Sequence, residues 1–171
     1  YLYELKGGEL VVISRYGIRK FTIMTYELNK CLFEYIYFLK RDSKVTEDIN
    51  VDSVRYMFGN ELARKEISNI YDKKDILVVG SPDTGIQSGI GFAHALDLEY
   101  CQFILKNKLY GRSFILDSNE TRQTECKNKM LIDNDIELEN KIIYFIDDSI
   151  VRGNTMKIIV ALLKKRNVRE I

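Results

Sequence analysis

Two adjacent carboxylates, Asp147 and Asp148, follow the apolar run Ile142–Ile146 and open the stretch DDSIVRGNT. Like charges side by side cost energy unless hydrogen-bond donors or a cation meet them. Carboxylates accept hydrogen bonds from hydroxyls and take hard cations through oxygen. The residues that follow are complementary. Ser149 and Thr155 carry hydroxyls, and Gly153 allows positive φ or a close backbone approach. Met156–Lys165 has the apolar spacing of a helix, whose N-terminal N–H groups would form a cup for an anion. Diol-binding carboxylates beside a phosphate cup describe a ribose-phosphate site. The competing reading is a capped helix after a solvated loop.

Two further segments set polar or charged residues in turns. SPDTG follows Gly80 at the end of DILVVG, and KNKLYGRSF, with Lys106, Lys108 and Arg112, follows YCQFIL. Basic clusters commonly stay solvated, and the residues alone favour that reading for the second loop.

The elements that must position these loops can be read from periodicity and turn residues. GELVVIS and YGIRKFTIM read as two short strands joined by a turn at Arg15–Gly17. CLFEYIYF, Cys31–Phe38, reads as an aromatic strand with Glu34 exposed at an edge or paired. Asp52 reads as the cap of a helix to about Ile70, with Val54, Met57, Phe58, Leu62 and Ile70 on its apolar face. Asp75–Gly80 is a buried strand, followed by a helix from about Ile86 to Leu96. Gly89 and Gly91 in that helix imply close helix–sheet packing, and His94 a structural role. YCQFIL and KIIYFI are further strands, and Lys164, Lys165 and Arg166 suit the negative end of the last helix. Strands alternating with helices after residue 50 predict an α/β fold with a parallel sheet. Ligands bind beyond the carboxyl ends of such strands, and all three polar loops stand there.

Composition narrows the partners. The 171 residues are 46% apolar and 30% charged, with a net charge of +1, which gives no general attraction to nucleic acid or to a membrane surface. No apolar run has membrane-spanning length, and residues 1–20 lack the order of a signal peptide. Cys31, Cys101 and Cys126 show no CxxC spacing, so the reading is reduced thiols in a cytoplasmic protein, with neither disulfides nor zinc.

IIYFIDDSIVRGNT resembles the phosphoribosyl pyrophosphate (PRPP) binding motif of type I phosphoribosyltransferases, and DDSIVRG the form found in amidophosphoribosyltransferases. CLFEYIYF followed by Asp42 and Ser43, then SPDTG, then LKNKLYGRSF, resemble segments of that family in the same order, so the likeness covers most of residues 8–171. It implies a Rossmann-like, mostly parallel sheet with flanking helices over 31–171, incomplete at its C-terminal side. Residues 1–30 resemble closing strands of an Ntn-type glutaminase domain. The chain is thus expected to be an internal fragment without glutaminase activity of its own, since that activity needs an N-terminal cysteine.

The resemblance also implies a reaction: PRPP loses pyrophosphate as ammonia, drawn from glutamine, attacks C1 of the ribose. The product is 5-phosphoribosylamine, the entry to purine synthesis. Asp147 and Asp148 would bind the ribose hydroxyls and, with Thr84, hold Mg²⁺. Ser149, Ile150, Val151, Arg152, Gly153, Asn154 and Thr155 would cradle the 5-phosphate. Lys106, Lys108 and Arg112 would neutralise the leaving pyrophosphate from a flexible loop. The full-length protein would be a homo-oligomer. Some relatives carry an iron–sulfur cluster. Cys31 is the one candidate ligand here, and it reads instead as a buried free thiol.

The chain departs from the family pattern at several points. RGNTM stands where RGTTS is usual, so Asn154 and Met156 replace hydroxyl residues. Lys108 replaces an arginine, and FLKRDS lacks the usual Arg-Pro before Asp42. A non-catalytic PRPP-sensing module is the alternative reading. A nucleobase phosphoribosyltransferase is a third, opposed by FEYIYF and the N-terminal strands.

Overall fold

The computed structural model describes residues 5–25, 31–45, 47–66, 73–107 and 130–171, the side chain of Asn154 excepted. The chain divides into two compact units, Tyr1–Glu34 and Tyr35–Ile171. In the first, β1 (Glu9–Ser14) and β2 (Gly17–Thr22) pair antiparallel around the expected turn, with Ser14 opposite Gly17. Gly8 has φ +80°, and a Cβ there would lie 2.0 Å from the Met24 carbonyl oxygen, so only glycine fits where the chain closes on itself.

The second unit is built on a parallel sheet. Strand β3 (Ile76–Gly80) lies at its centre, with β4 (Glu99–Tyr100) on one side and β7 (Ile142–Ile146) on the other, both parallel to it. All five residues of β3 are buried, as a continuous apolar run covered on both faces should be. Ile76 and Val78 pack with Phe92, Ala93, Leu96 and Ala63 on one face. Leu77 and Val79 pack with Ile143, Phe103, Ile159 and Leu163 on the other. The helices that supply these side chains are α1 (Val51–Glu66) and α2 (Ile86–Leu96) on the first face and α3 (Asn154–Lys164) on the second. The expected α/β architecture is present.

Several local expectations are overturned. CLFEYIYF is not a strand: residues 34–38 form a π-helical turn, Glu34–Phe38. The cause is remote in sequence. Arg55, only 3% exposed, donates from Nε to the Tyr35 carbonyl at 2.9 Å and from Nη2 to those of Tyr37 and Leu39 at 3.4 and 3.0 Å. Carbonyls at the end of a helical turn need such donors, and a strand would point them elsewhere. Cys31, at the edge of this segment, is exposed and not buried.

The cap of α1 is Asn50, whose Oδ1 accepts from the Ser53 amide at 2.9 Å. Asp52 instead takes a two-pronged contact from Arg41, with Nε at 3.0 and 3.1 Å and Nη2 at 2.8 Å. The buried stripe of α1 is Val51, Arg55, Gly59 and Ala63, while Met57 and Leu62 face solvent. The expected end near Ile70 lies outside the described residues. A narrow stripe suits close packing: a Cβ on Gly59 would lie 1.9 Å from the Ser88 carbonyl oxygen, and one on Gly91 2.1 Å from that of Tyr56. Gly91 therefore serves helix–helix contact, whereas Gly89, against Gly80 and Tyr100, serves the expected helix–sheet contact.

YCQFIL splits in two. After β4 the chain turns through Cys101–Phe103, with the Phe103 amide on the Cys101 carbonyl at 3.2 Å. It then enters β5 (Ile104–Lys106), which pairs antiparallel with β6 (Met130–Ile132) in a separate ribbon. The Gln102 amide, donating to the Gly80 and Ile104 carbonyls at 3.0 and 2.7 Å, bridges the break. At the end of α3 the Arg166 amide donates to the Leu163 carbonyl at 2.9 Å, while its side chain reaches away, with Nη2 donating to the Ile136 carbonyl at 2.8 Å. His94 is exposed, with Nδ1 3.0 Å from the Tyr56 hydroxyl.

Candidate active site

The parallel register sets the site. Gly80 stands opposite Ile146, so β3 and β7 end at one level and their next residues, Ser81 and Asp147, emerge together. The Ser81 amide donates to the Ile146 carbonyl at 2.8 Å, continuing the ladder one residue past the strand. Residues 81–85 then turn back, with the Gly85 amide on the Ser81 carbonyl at 2.8 Å and a cis peptide between Pro82 and Asp83. Gly85 is a requirement that the sequence did not disclose: a Cβ there would lie 2.4 Å from the Ile146 carbonyl oxygen.

Both carboxylates are partly buried and held by short-range donors. Asp147 Oδ1 accepts from the Asp148 amide at 2.9 Å. Asp148 Oδ1 accepts from the Ser149 hydroxyl at 2.7 Å, and its Oδ2 accepts from the Thr84 hydroxyl on the opposing loop. Burial pushes the Asp147 carboxyl above the usual range. Hydrogen bonds from the Asp148 amide and the Ser81 hydroxyl oppose that rise, and the Asp148 charge adds to it. The charge of Asp147 is therefore undercompensated.

Gly153 adopts φ +67°, with open space around it, and α3 starts at the next residue. Here the backbone angle, not crowding, calls for glycine. Residues 149–153 project before α3, with Ile150 and Val151 71% and 85% exposed. The α3 N-terminus thus opens on the same side as the carboxylates.

A cavity of about 690 Å³ joins these parts. Thr84, Lys106, Asp147, Asp148, Ser149, Ile150, Val151, Arg152, Gly153 and Thr155 all line it. Asn154 starts α3, and Lys108 and Arg112 lie outside the described residues. Lys106 sits at the end of β5, not in a loop, with its Nζ 2.6 Å from Asp83 Oδ2. Ser81 and Asp83, from the expected SPDTG loop, also line the cavity, as do Tyr37, Phe38 and Met130, to which no site motif pointed. Tyr37 and Phe38 come from the π-helical turn Glu34–Phe38.

Two carboxylates and a hydroxyl are oxygen donors of the kind a hard cation takes. Among the described residues no three His, Cys, Asp or Glu side chains gather closely enough to hold an ion unaided. The donor set fits Mg²⁺ shared with ligand oxygens and water, which is how that ion is ordinarily bound beside phosphates. Among the described residues no helix is long and apolar enough to cross a membrane.

No protein-family model matches the chain. Individual proteins do. It is 37% identical to an amidophosphoribosyltransferase of Mus musculus over 177 aligned residues, covering 100% of this chain and 32% of the relative. It is 34% identical to that of Bacillus subtilis, covering 100% of this chain and 35% of the relative. It is 33% identical to that of Pyrococcus horikoshii, covering 98% and 35%. Among solved structures, "glutamine phosphoribosylpyrophosphate (PRPP) amidotransferase from B. subtilis complexed with ADP and GMP" superposes with a TM-score of 0.72 at 32% identity, over 99% of this chain and 37% of that one. One described as "structure of the allosteric regulatory enzyme of purine biosynthesis" gives the same TM-score and identity, over 99% and 36%. The chain spans about a third of the length of the curated relatives it matches.

Proposed function

From the premise that the chain belongs to the amidophosphoribosyltransferase family, we propose that it forms the PRPP-binding part of an enzyme making 5-phosphoribosylamine. PRPP and ammonia, the latter from glutamine, would be the substrates and pyrophosphate the second product. The observation that carries this reading is the Asp147–Asp148 pair at the end of β7, facing the Ser81–Gly85 loop and followed by the Gly153 turn into α3.

Each part has a chemical role. Asp147 and Asp148 accept hydrogen bonds from the ribose 2- and 3-hydroxyls, which fixes the sugar. The backbone of 149–155 and the Thr155 hydroxyl hold the 5-phosphate at the start of α3. Lys106 meets the leaving diphosphate, on which charge grows as the C1–O bond breaks; a fixed cation there favours the transition state over the ground state. Asp147, Asp148 and Thr84 would hold Mg²⁺, which when bound supplies further charge neutralisation at the diphosphate oxygens. Lys108 and Arg112 would add to Lys106. The enzyme would act in the cytoplasm as a homo-oligomer.

The test is pyrophosphate release by the full-length protein with PRPP, Mg²⁺ and ammonia. Asp147→Asn combined with Asp148→Asn is expected to lower kcat/KM by at least about 100-fold, comparable to loss of a main electrostatic contact in other enzymes. An unchanged rate would refute the site. Tight PRPP binding with no release by the unmutated protein would favour a sensing module instead.

A further inference from the structure

We propose that Asp83 sets the affinity of the site for diphosphate by competing with it for Lys106. This rests on the PRPP reading above. Asp83 lies on the loop after β3, next to Thr84, and Lys106 ends β5; both side chains line the cavity. Their charged atoms are 2.6 Å apart, yet Lys106 and Asp83 remain 51% and 62% exposed. An exposed ion pair is weakly held. A diphosphate offers several anionic oxygens where Asp83 offers one carboxylate, so it can draw the ammonium away.

The exchange is inexpensive for Asp83, because its exposed carboxylate can take water in place of the ammonium. Without ligand, Lys106 is parked at the cavity wall instead of sampling solvent. With ligand, part of its binding energy is spent on leaving Asp83. The carboxylate thus weakens diphosphate binding and speeds its departure.

The experiment measures binding of pyrophosphate with Mg²⁺ to the full-length protein by calorimetry, in a double-mutant cycle. Asp83→Asn should tighten binding about two- to fivefold, the range exposed ion pairs usually carry. Lys106→Gln should weaken it. In the Lys106→Gln background, Asp83→Asn should change nothing, because the contested partner is gone. Equal tightening in both backgrounds would mean that Asp83 merely repels the ligand, and would refute the competition. Weaker or unchanged binding in Asp83→Asn alone would refute it as well. If the unmutated protein bound neither pyrophosphate nor PRPP, the functional reading itself would fall, and the competition with it.

Discussion

Asp147 is the residue whose surroundings ask most for a partner. Its carboxyl is held above the usual range because burial outweighs the amide and hydroxyl that donate to it. A raised acid holds its proton more tightly in the folded than in the unfolded protein. Its contribution to stability is therefore complete below the unfolded value of about 4 and is lost as pH rises through the folded one. At pH 7 the ionised group is a cost that a bound cation would relieve. Asp147→Asn keeps the acceptor for the Asp148 amide and removes the charge. In the ligand-free full-length protein it should raise the melting temperature at pH 7, with the gain shrinking as pH falls toward 4. Calorimetry across that range checks this, and an equal or lower melting temperature at pH 7 would contradict it. The same change is expected to cost activity, a common trade at functional sites.

At the scale of elements, the α1–α2 contact depends on side chains that are absent. Gly91→Ala should destabilise the protein by about 1–3 kcal/mol, as forced overpacking does, although alanine is the better helix former by about 1 kcal/mol. Denaturant unfolding would show it; a stabilised variant would mean the helices separate without cost. Glycines in a helix were a visible signal, and so were the buried runs of β3 and β7 and the polar turns after them. Those features are local, and so they could be read. CLFEYIYF could not be read because its conformation is imposed by Arg55, which follows some twenty residues later. The buried stripe of α1 was not legible because its large apolar residues point to a different face, whereas close approach selects Gly59 and Ala63. YCQFIL was legible as a strand, but its division into β4 and β5 was not, since β6, the partner of β5, lies beyond a long intervening stretch of sequence.

Across the whole second unit, Arg55 joins parts that sequence keeps distant. Its guanidinium holds the turn bearing Tyr37 and Phe38, and its carbonyl accepts from the Ser88 hydroxyl of α2 at 2.9 Å. Burial lowers its affinity for a proton, but an arginine remains charged at any ordinary pH. Arg55→Met fills similar space and leaves three carbonyls without their donor. A loss of about 1–3 kcal/mol in all is expected, the penalty of about one buried unsatisfied group, because Tyr35 and Leu39 are half-buried and Tyr37 is exposed. Denaturant titration of the full-length protein measures it, and a loss under about 1 kcal/mol would show that water replaces the guanidinium. The level ending of β3 and β7 carries a different kind of consequence. Deleting one codon from either strand would draw its half of the cavity back by about 3.3 Å and turn the following residue to the other face. Composition along these strands can drift between one apolar residue and another over evolutionary time, but their length cannot. Insertions and deletions should therefore be purged from residues 76–80 and 142–146 more strictly than substitutions are.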